Sequence, residues 1–247
     1  MTESLISSQF SVLRQYGYAQ AKGVFTQDKV ENLRALLELY LKDQDTPGRR
    51  LFGESWARAR EHALSARLND LMTQAFAESG VTDLRDIKCI RATLFDKTPG
   101  TNWKVPWHQD LTIPIQTEPE ERETTALRGF GPWTIKDAIP HVQPPVPILE
   151  RMLAARIHLD PCGLDNGALR VLAGSHRHGR LDAAQIKEWR GNADAPVNCV
   201  AEAGDVLLMQ PLLLHASSPA TNPARRRVLH LEFAACDLPS PLQWRSF

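Results

Sequence analysis

Cysteine is scarce and scattered in this 247-residue chain: four residues, Cys89, Cys162, Cys199 and Cys236, with no CxxC pair among them. That distribution argues against a zinc knuckle or a disulfide framework and fits reduced thiols in a cytoplasmic protein. An excess of one charge is also missing. Lys plus Arg equals Asp plus Glu at 29 each, so no net field recruits nucleic acid or an anionic membrane. No apolar run approaches the roughly 20 residues of a membrane span. The opening MTESLISSQFSVLRQYGYAQ lacks the basic start and continuous apolar core of a signal peptide. No internal repeat is apparent. The expectation is a soluble, cytoplasmic, globular chain, long enough to bury a sizeable core.

What is present falls into two textures. The first third has helical periodicity. Residues 4–16 carry Leu5, Ile6, Phe10, Val12 and Leu13; YGYAQAKGVF then suits a short strand. Thr26 is placed to cap a helix through about Tyr40, in which Val30, Leu33, Leu36, Leu37 and Tyr40 form a buried stripe, with Pro47 and Gly48 as its stop. Residues 55–78 read as one or two further helices with Leu64, Leu68, Leu71, Met72 and Phe76 inward. From about residue 86 the pattern changes to strand-length runs between proline and glycine turns: IKCIRATLF, ARIHLD, ALRVL, CVAEAGDVLLMQ, LLLHAS and RRVLHLEFAA. Short strands after a helical start predict a mainly β fold, a jelly-roll (double-stranded β-helix, cupin-like) core with N-terminal helices packed on it. The whole chain, 1–247, reads as a single domain, with 1–85 as helical support and 86–247 as the core. Residues 112–147, with Glu118, Glu120, Glu121, Glu123, a GFGPW turn and prolines from Pro140 to Pro147, read as a lid-like insertion.

In VPWHQDLTIP, residues 105–114, His108 and Asp110 sit two apart, the spacing that puts side chains on one face of a strand. Such a pair is either a satisfied polar contact or most of a metal site. His215 lies 105 residues beyond Asp110 and interrupts the apolar LLLHAS. A lone histidine there is more often a hydrogen-bonded core residue; an upstream HxD and a β frame able to converge the three reverse that estimate. Two imidazoles and one carboxylate make the facial triad of non-haem iron(II) oxygenases, leaving three coordination sites open. Zinc favours a tetrahedral set and supplies no redox step. Arg225, Arg226 and Arg227 follow on a strand with Val228, Leu229, Leu231 and Phe233. A guanidinium fork is what a dicarboxylate needs at its far end. The period of two lets Arg226 point inward while its neighbours point out.

HxD, a distal histidine about 100 residues on and an arginine eleven positions after it resemble the phytanoyl-CoA dioxygenase superfamily of iron(II)/2-oxoglutarate oxygenases. DNGALRVLAGSHRHGRL, residues 165–181, is similar to that family's ENGxLxxxPGSH turn, with Ala173 where proline is usual, and YGYAQAKGVFTQDKVENLRALL is similar to its opening segment. The resemblance implies that His108, Asp110 and His215 ligate Fe(II) and that Arg226 anchors the 2-oxoglutarate C5 carboxylate. Ser217 falls where the family has a further hydrogen-bonding position for that carboxylate. Arg156 on ARIHLD shares a face with His158 and Asp160 and stands near a position often aromatic in the family. That departure points to an anionic substrate, an added cosubstrate contact or a structural ion pair. His176 and His178 read as organisers of their turn. Trp103, Trp107, Trp133 and His141 flank the proposed mouth; packing anchors are the better reading for at least two of them. His141, His158 and Trp107 are the candidate substrate contacts.

The implied reaction consumes O₂ and 2-oxoglutarate, releases succinate and CO₂, and hydroxylates a small-molecule substrate. Family members that halogenate carry a small residue at the position of Asp110, so the carboxylate favours hydroxylation. Three other readings stand beside it: a non-oxidative cupin-like metalloenzyme such as an isomerase, a non-catalytic small-molecule-binding jelly roll, and a Jumonji-type oxygenase. The last typically anchors 2-oxoglutarate with a lysine from an earlier strand. Neither the substrate nor the oligomeric state can be read from the sequence.

Overall fold

The computed structural model describes residues 12–39, 48–51, 53–122, 124–192, 194–222 and 224–245. Three helices, α1 (Gln27–Glu38), α2 (Gly53–Ala63) and α3 (Ala66–Glu78), form its N-terminal layer. Helix α1 buries Val30, Leu33 and Leu37 at three-and-four spacing, the stripe that docks it. Thr26 occupies the N-cap position in an extended conformation, yet its hydroxyl makes no cap bond, contrary to expectation; Asp28 in the first turn supplies the favourable charge instead. The helical stretch expected over 55–78 breaks in two at Ser65, whose Oγ accepts from the Leu68 N–H at 3.3 Å and starts α3. Residues 12–16 are helical. The remainder of the helix expected over 4–16, Tyr40 and the Pro47 stop lie outside the described residues.

The strands are β1 (Tyr18–Ala21), β2 (Gly48–Arg50), β3 (Lys88–Lys97), β4 (Val105–His108), β5 (Ile113–Pro114), β6 (Trp133–Lys136) and β7 (Ile139–Val142). After a one-turn helix α4 (Val146–Leu149) come β8 (Met152–His158), β9 (Leu169–Val171), helix α5 (Ala183–Asn192), β10 (Val197–Cys199), β11 (Val206–Met209), β12 (His215–Ser217) and β13 (Arg226–Ala234). They assemble into a six-stranded sheet of order β1-β11-β8-β13-β3-β2, a four-stranded sheet β10-β9-β12-β4 and a three-stranded sheet β5-β7-β6.

The period of two divides the large sheet into two faces. Leu153, Ala155, Ile157, Leu229, Leu231 and Phe233 share one core with Leu33, Leu37, Leu68 and Phe76 of the helices. The intervening residues Ala154, Leu207 and Met209 pack on Leu169, Val171 and Cys199 of the four-stranded sheet. Two antiparallel sheets face to face, one backed by helices, form the jelly-roll, cupin-like arrangement expected, though the described strands do not close into a barrel.

Two runs depart from expectation. CVAEAGDVLLMQ is two strands, β10 and β11, separated by a turn in which Gly204 has φ +91° and its carbonyl accepts from Phe25 N–H at 3.0 Å. Residues 112–147 contain the three-stranded sheet, and Ile113, Ile115, Leu127, Val142 and Leu149 seat it in a core with Ile90, Met152 and Leu242. The insertion is therefore anchored, with an apolar underside.

Candidate metal centre and its cavity

Antiparallel pairing of β4 with β12 sets His108 directly opposite His215, where cross-strand side chains are near neighbours. Their ring centroids are 4.1 Å apart. Asp110 follows β4, its N–H donating to Pro211 O at 2.9 Å. One carboxylate oxygen lies 3.6 Å from His108 Nε2 and the other 3.6 Å from His215 Nε2. The ligand atoms of all three residues lie within 4.8 Å of one another, the one such cluster among the described residues.

Each imidazole has a fixed orientation. His108 Nδ1 meets Pro106 O at 2.9 Å and His215 Nδ1 meets Leu213 O at 2.9 Å. A carbonyl can only accept, so both Nδ1 atoms carry the proton and both Nε2 lone pairs face the centre, as a metal requires. Burial pushes His215 down to about 4, keeping it neutral. Burial also opposes a charged His108, but the adjacent Asp110 outweighs it and raises the His108 value, so in the metal-free protein a proton on Nε2 competes with a cation. Burial likewise opposes ionisation of Asp110, and the adjacent His215 and His108 overcome it, holding the carboxyl well below its ordinary value. A carboxylate and two inward lone pairs constitute a site for a divalent cation.

Sequence reading missed the residues that hold this geometry. Gln109, between the two ligands, points the other way and is buried. Its Nε2 donates to Leu212 O at 2.6 Å and Gly179 O at 2.8 Å, while its Oε1 accepts from Leu181 N–H at 2.8 Å. Ser175 Oγ accepts from Leu214 N–H at 2.9 Å, so the glycine-serine-histidine turn fixes the strand start that carries His215.

The triad opens into a cavity of about 390 Å³ between the two large sheets. The inward faces of β8, β13 and β3 present Arg156, Arg226, His230 and Glu232, Arg91, Thr93, Phe95 and Lys97 to it. Arg226 is 5 % exposed and points inward; Arg225 and Arg227 point outward into ion pairs with Asp96 and Glu38, and with Asp160 and Glu38. Arg226 Nη1 donates to Gly167 O and to Cys162 Sγ, and its Nε is buried without a hydrogen-bond partner among the described residues.

Lys97, also missed by sequence reading, pairs in register with Arg226 and is 3 % exposed. Its Nζ donates to Ser217 Oγ at 3.0 Å and Trp103 O at 2.9 Å, and burial next to Arg226 lowers it to about 8. Arg156 lies 5.4 Å over the Phe95 ring and donates to His230 Nδ1 at 3.2 Å; burial and Arg226 lower it to about 10. None of these three cations has a carboxylate partner among the described residues. Buried charge without a counter-ion is costly, so this end of the cavity is built for an anion. Gly167 has φ +66°, and a Cβ there would fall 2.7 Å from Ser218 O. Only glycine brings its carbonyl to both Arg226 and Ser217.

Three sequence candidates lie apart from the cavity lining. Trp107 packs on Leu172, Leu181 and Leu214 with Arg170 5.5 Å over its ring. His141 is buried on β7 with Nδ1 on Ile139 O at 3.0 Å, and His158 is buried on β8, held down to about 3 by burial and Arg156. Of the flanking tryptophans, Trp103 reaches the cavity and Trp133 joins the core under the insertion. His176 sits on Arg14 O at 3.2 Å and His178 lies edge-on to Trp189, both serving their turn. A larger cavity of about 890 Å³ lies elsewhere, between Trp56, Met72, Phe233 and Trp244, and holds no metal-ligating cluster among the described residues.

The fold is a jelly roll that presents two histidines and an aspartate, a cluster able to hold a metal ion, to a cation-lined cavity. The sequence pattern of the phytanoyl-CoA dioxygenase family matches residues 13–228, and the chain belongs to that family. No curated protein matches the sequence. Among solved structures, AviO1 from Streptomyces viridochromogenes is 21 % identical with TM-score 0.63, over 92 % of this chain and 94 % of that one. HygX from Streptomyces hygroscopicus, with nickel and 2-oxoglutarate bound, is 17 % identical with TM-score 0.61, over 100 % and 90 %. The non-haem alpha-ketoglutarate-dependent epimerase SnoN of nogalamycin biosynthesis is 12 % identical with TM-score 0.66, over 99 % and 87 %. At these identities the likeness is one of fold.

Proposed function

We propose that this protein is an Fe(II)- and 2-oxoglutarate-dependent dioxygenase that hydroxylates a small organic molecule. The observation that carries the reading is a three-donor facial site beside three buried, carboxylate-free cations in one cavity. The donor set fits the ion: two imidazoles and one carboxylate are ligands that ferrous iron accepts, and His108, Asp110 and His215 would hold it. Bound there, iron with 2-oxoglutarate supplies the oxidative chemistry, releasing succinate and CO₂ as O₂ is consumed.

The chain's own residues position and screen. His108, Asp110 and His215 hold the metal. Arg226, with Lys97 and Ser217, receives the far carboxylate of 2-oxoglutarate, and Gly167 O orients the guanidinium. Arg156, fixed on Phe95 and His230, adds positive charge between that pole and the triad. Trp107, His141 and His158, outside the lining, act through packing. Residues 112–147 cover the mouth of a single oxygenase domain spanning 1–247, with 1–85 as support and 86–247 as core. The four cysteines are free thiols, which supports a cytoplasmic setting.

Hydroxylation is preferred over epimerisation on one point. An epimerase must return a hydrogen to the opposite face of its substrate from a donor such as a phenol or thiol, and no tyrosine or cysteine is among the described lining residues. Iron-dependent release of succinate from 2-oxoglutarate, coupled to a product gaining one oxygen atom, tests the proposal. Turnover without succinate favours the isomerase alternative. Failure to bind iron favours the non-catalytic one.

A further inference from the structure

Beyond the cations that face 2-oxoglutarate in the reading above, the same cavity has a second positive pole. Along β13 and β3, inward residues run from Arg226 and Lys97 at one end to Glu232 and Arg91 at the other. Six residues of strand separate the ends, about 20 Å at ~3.3 Å per residue, and the row between them, His230 with Arg156 and Thr93, lies beside the triad. At the far end Arg91 holds Glu232 at 2.6 Å through Nε. Arg50, paired in register with Thr93, holds Asp137 at the tip of the β6–β7 hairpin.

Lys136, at the base of that tip, has no carboxylate. Its Nζ donates only to Thr112 Oγ1, at 3.0 Å, among the described residues, and burial together with Arg91 and Arg50 lowers its value. The tip itself is strained: Asp137 and Ala138 have φ of 52° and 59°, the left-handed region that non-glycine residues enter only when held there. The β6–β7 ladder, with Lys136 opposite Ile139, sets this two-residue turn and places Lys136 at the mouth, with the Arg50–Asp137 pair at its tip.

Six cationic side chains line the cavity against three carboxylates. A ferrous ion and the 2-oxoglutarate dianion cancel each other's charge, so the excess of positive charge persists in the loaded site. Phe95, Trp103, Val105 and Leu169 are the apolar side chains lining the cavity among the described residues, so the lining is mostly polar and charged. We propose that the substrate is a compact polar molecule carrying an oxyanion, carboxylate or phosphate, received by Lys136 with Arg50 and Arg91 beside it. Its reacting C–H bond then faces the triad from the side opposite Arg226. This inference rests on the oxygenase reading.

The test is calorimetric titration of the protein preloaded with a redox-inert divalent metal and 2-oxoglutarate, so that the first pole is filled. Inorganic phosphate and benzoate are the titrants, separating the two sources of oxyanion. Saturable binding of one of them, weakened at least tenfold by Lys136→Ala and retained by Lys136→Arg, is the expected result. Lys136 lies half-exposed on a hairpin, so the variants are expected to fold. Affinity for 2-oxoglutarate should be unchanged in both. Binding of neither titrant, or binding indifferent to Lys136→Ala, overturns the substrate class and leaves the oxygenase reading intact. Failure of 2-oxoglutarate to load the metal-bound protein overturns both.

Discussion

Replacing Arg226 with alanine isolates the claim about the first pole. The side chain is 5 % exposed, faces inward, and has Gly167 O and Cys162 Sγ as neutral partners. Removing one partner of a buried charge pair costs roughly 2–5 kcal/mol. Lys97 and Ser217 remain within the same pole, 3.0 Å from each other, so the lower part of that range applies. About 2–3 kcal/mol corresponds to a rise of ~30- to 150-fold in the 2-oxoglutarate requirement. Succinate release measured against 2-oxoglutarate concentration gives the number. Arg225→Ala is the control: its guanidinium faces away from the cavity, on Asp96 and Glu38, so its loss should lower stability and leave the 2-oxoglutarate requirement unchanged. A near-normal 2-oxoglutarate requirement in Arg226→Ala, with a large rise in Arg225→Ala, would refute the register and the anchor together.

Asp110→Ala should abolish succinate release and weaken metal binding measured by equilibrium dialysis; full turnover would remove it from the site. Lys97 sits at about 8 in the free protein, so it is charged below that value and neutral above it. Affinity for 2-oxoglutarate should then hold up to about pH 8 and fall beyond it, because binding must restore the lost proton; Lys97→Met should flatten that decline. Gly167→Ala forces a Cβ to 2.7 Å from Ser218 O at φ +66°; left-handed backbone alone costs roughly 1–2 kcal/mol, read by urea denaturation, and the displaced carbonyl should raise the 2-oxoglutarate KM. Ser175→Ala leaves the buried Leu214 N–H unpaired, a loss of about 1–3 kcal/mol, and should loosen metal binding without touching a ligand.

The triad was legible because its chemistry is written in residue types: His108 and Asp110 sit two apart, and the histidine amid the leucines of LLLHAS, a core residue if taken alone, gains a metal-binding reading from that upstream pair. Arg226 was legible from the period of two. Lys97 was not: the run IKCIRATLF stops at Phe95, two residues short of it, and only the alternation of Arg91, Thr93, Phe95 and Lys97 against Ala92 and Leu94 marks the inward face, which requires knowing which face has the cavity. Gln109 was hidden for the opposite reason: it points away from the site, and its three partners lie at residues 179, 181 and 212. Trp107 and His141 were drawn toward the mouth by proximity in sequence, but pleating and the intervening sheet turn them into packing. The sheet inside the lid-like insertion at 112–147 was not legible because its strands are two to four residues long, too short for periodicity to show.

The most direct measurement is an anaerobic crystal structure with Fe(II) and 2-oxoglutarate. The expected result is one metal bound by His108 Nε2, Asp110 and His215 Nε2, with the far carboxylate of the diacid on Arg226. Iron bound elsewhere, or a diacid directed away from Arg226, would contradict it.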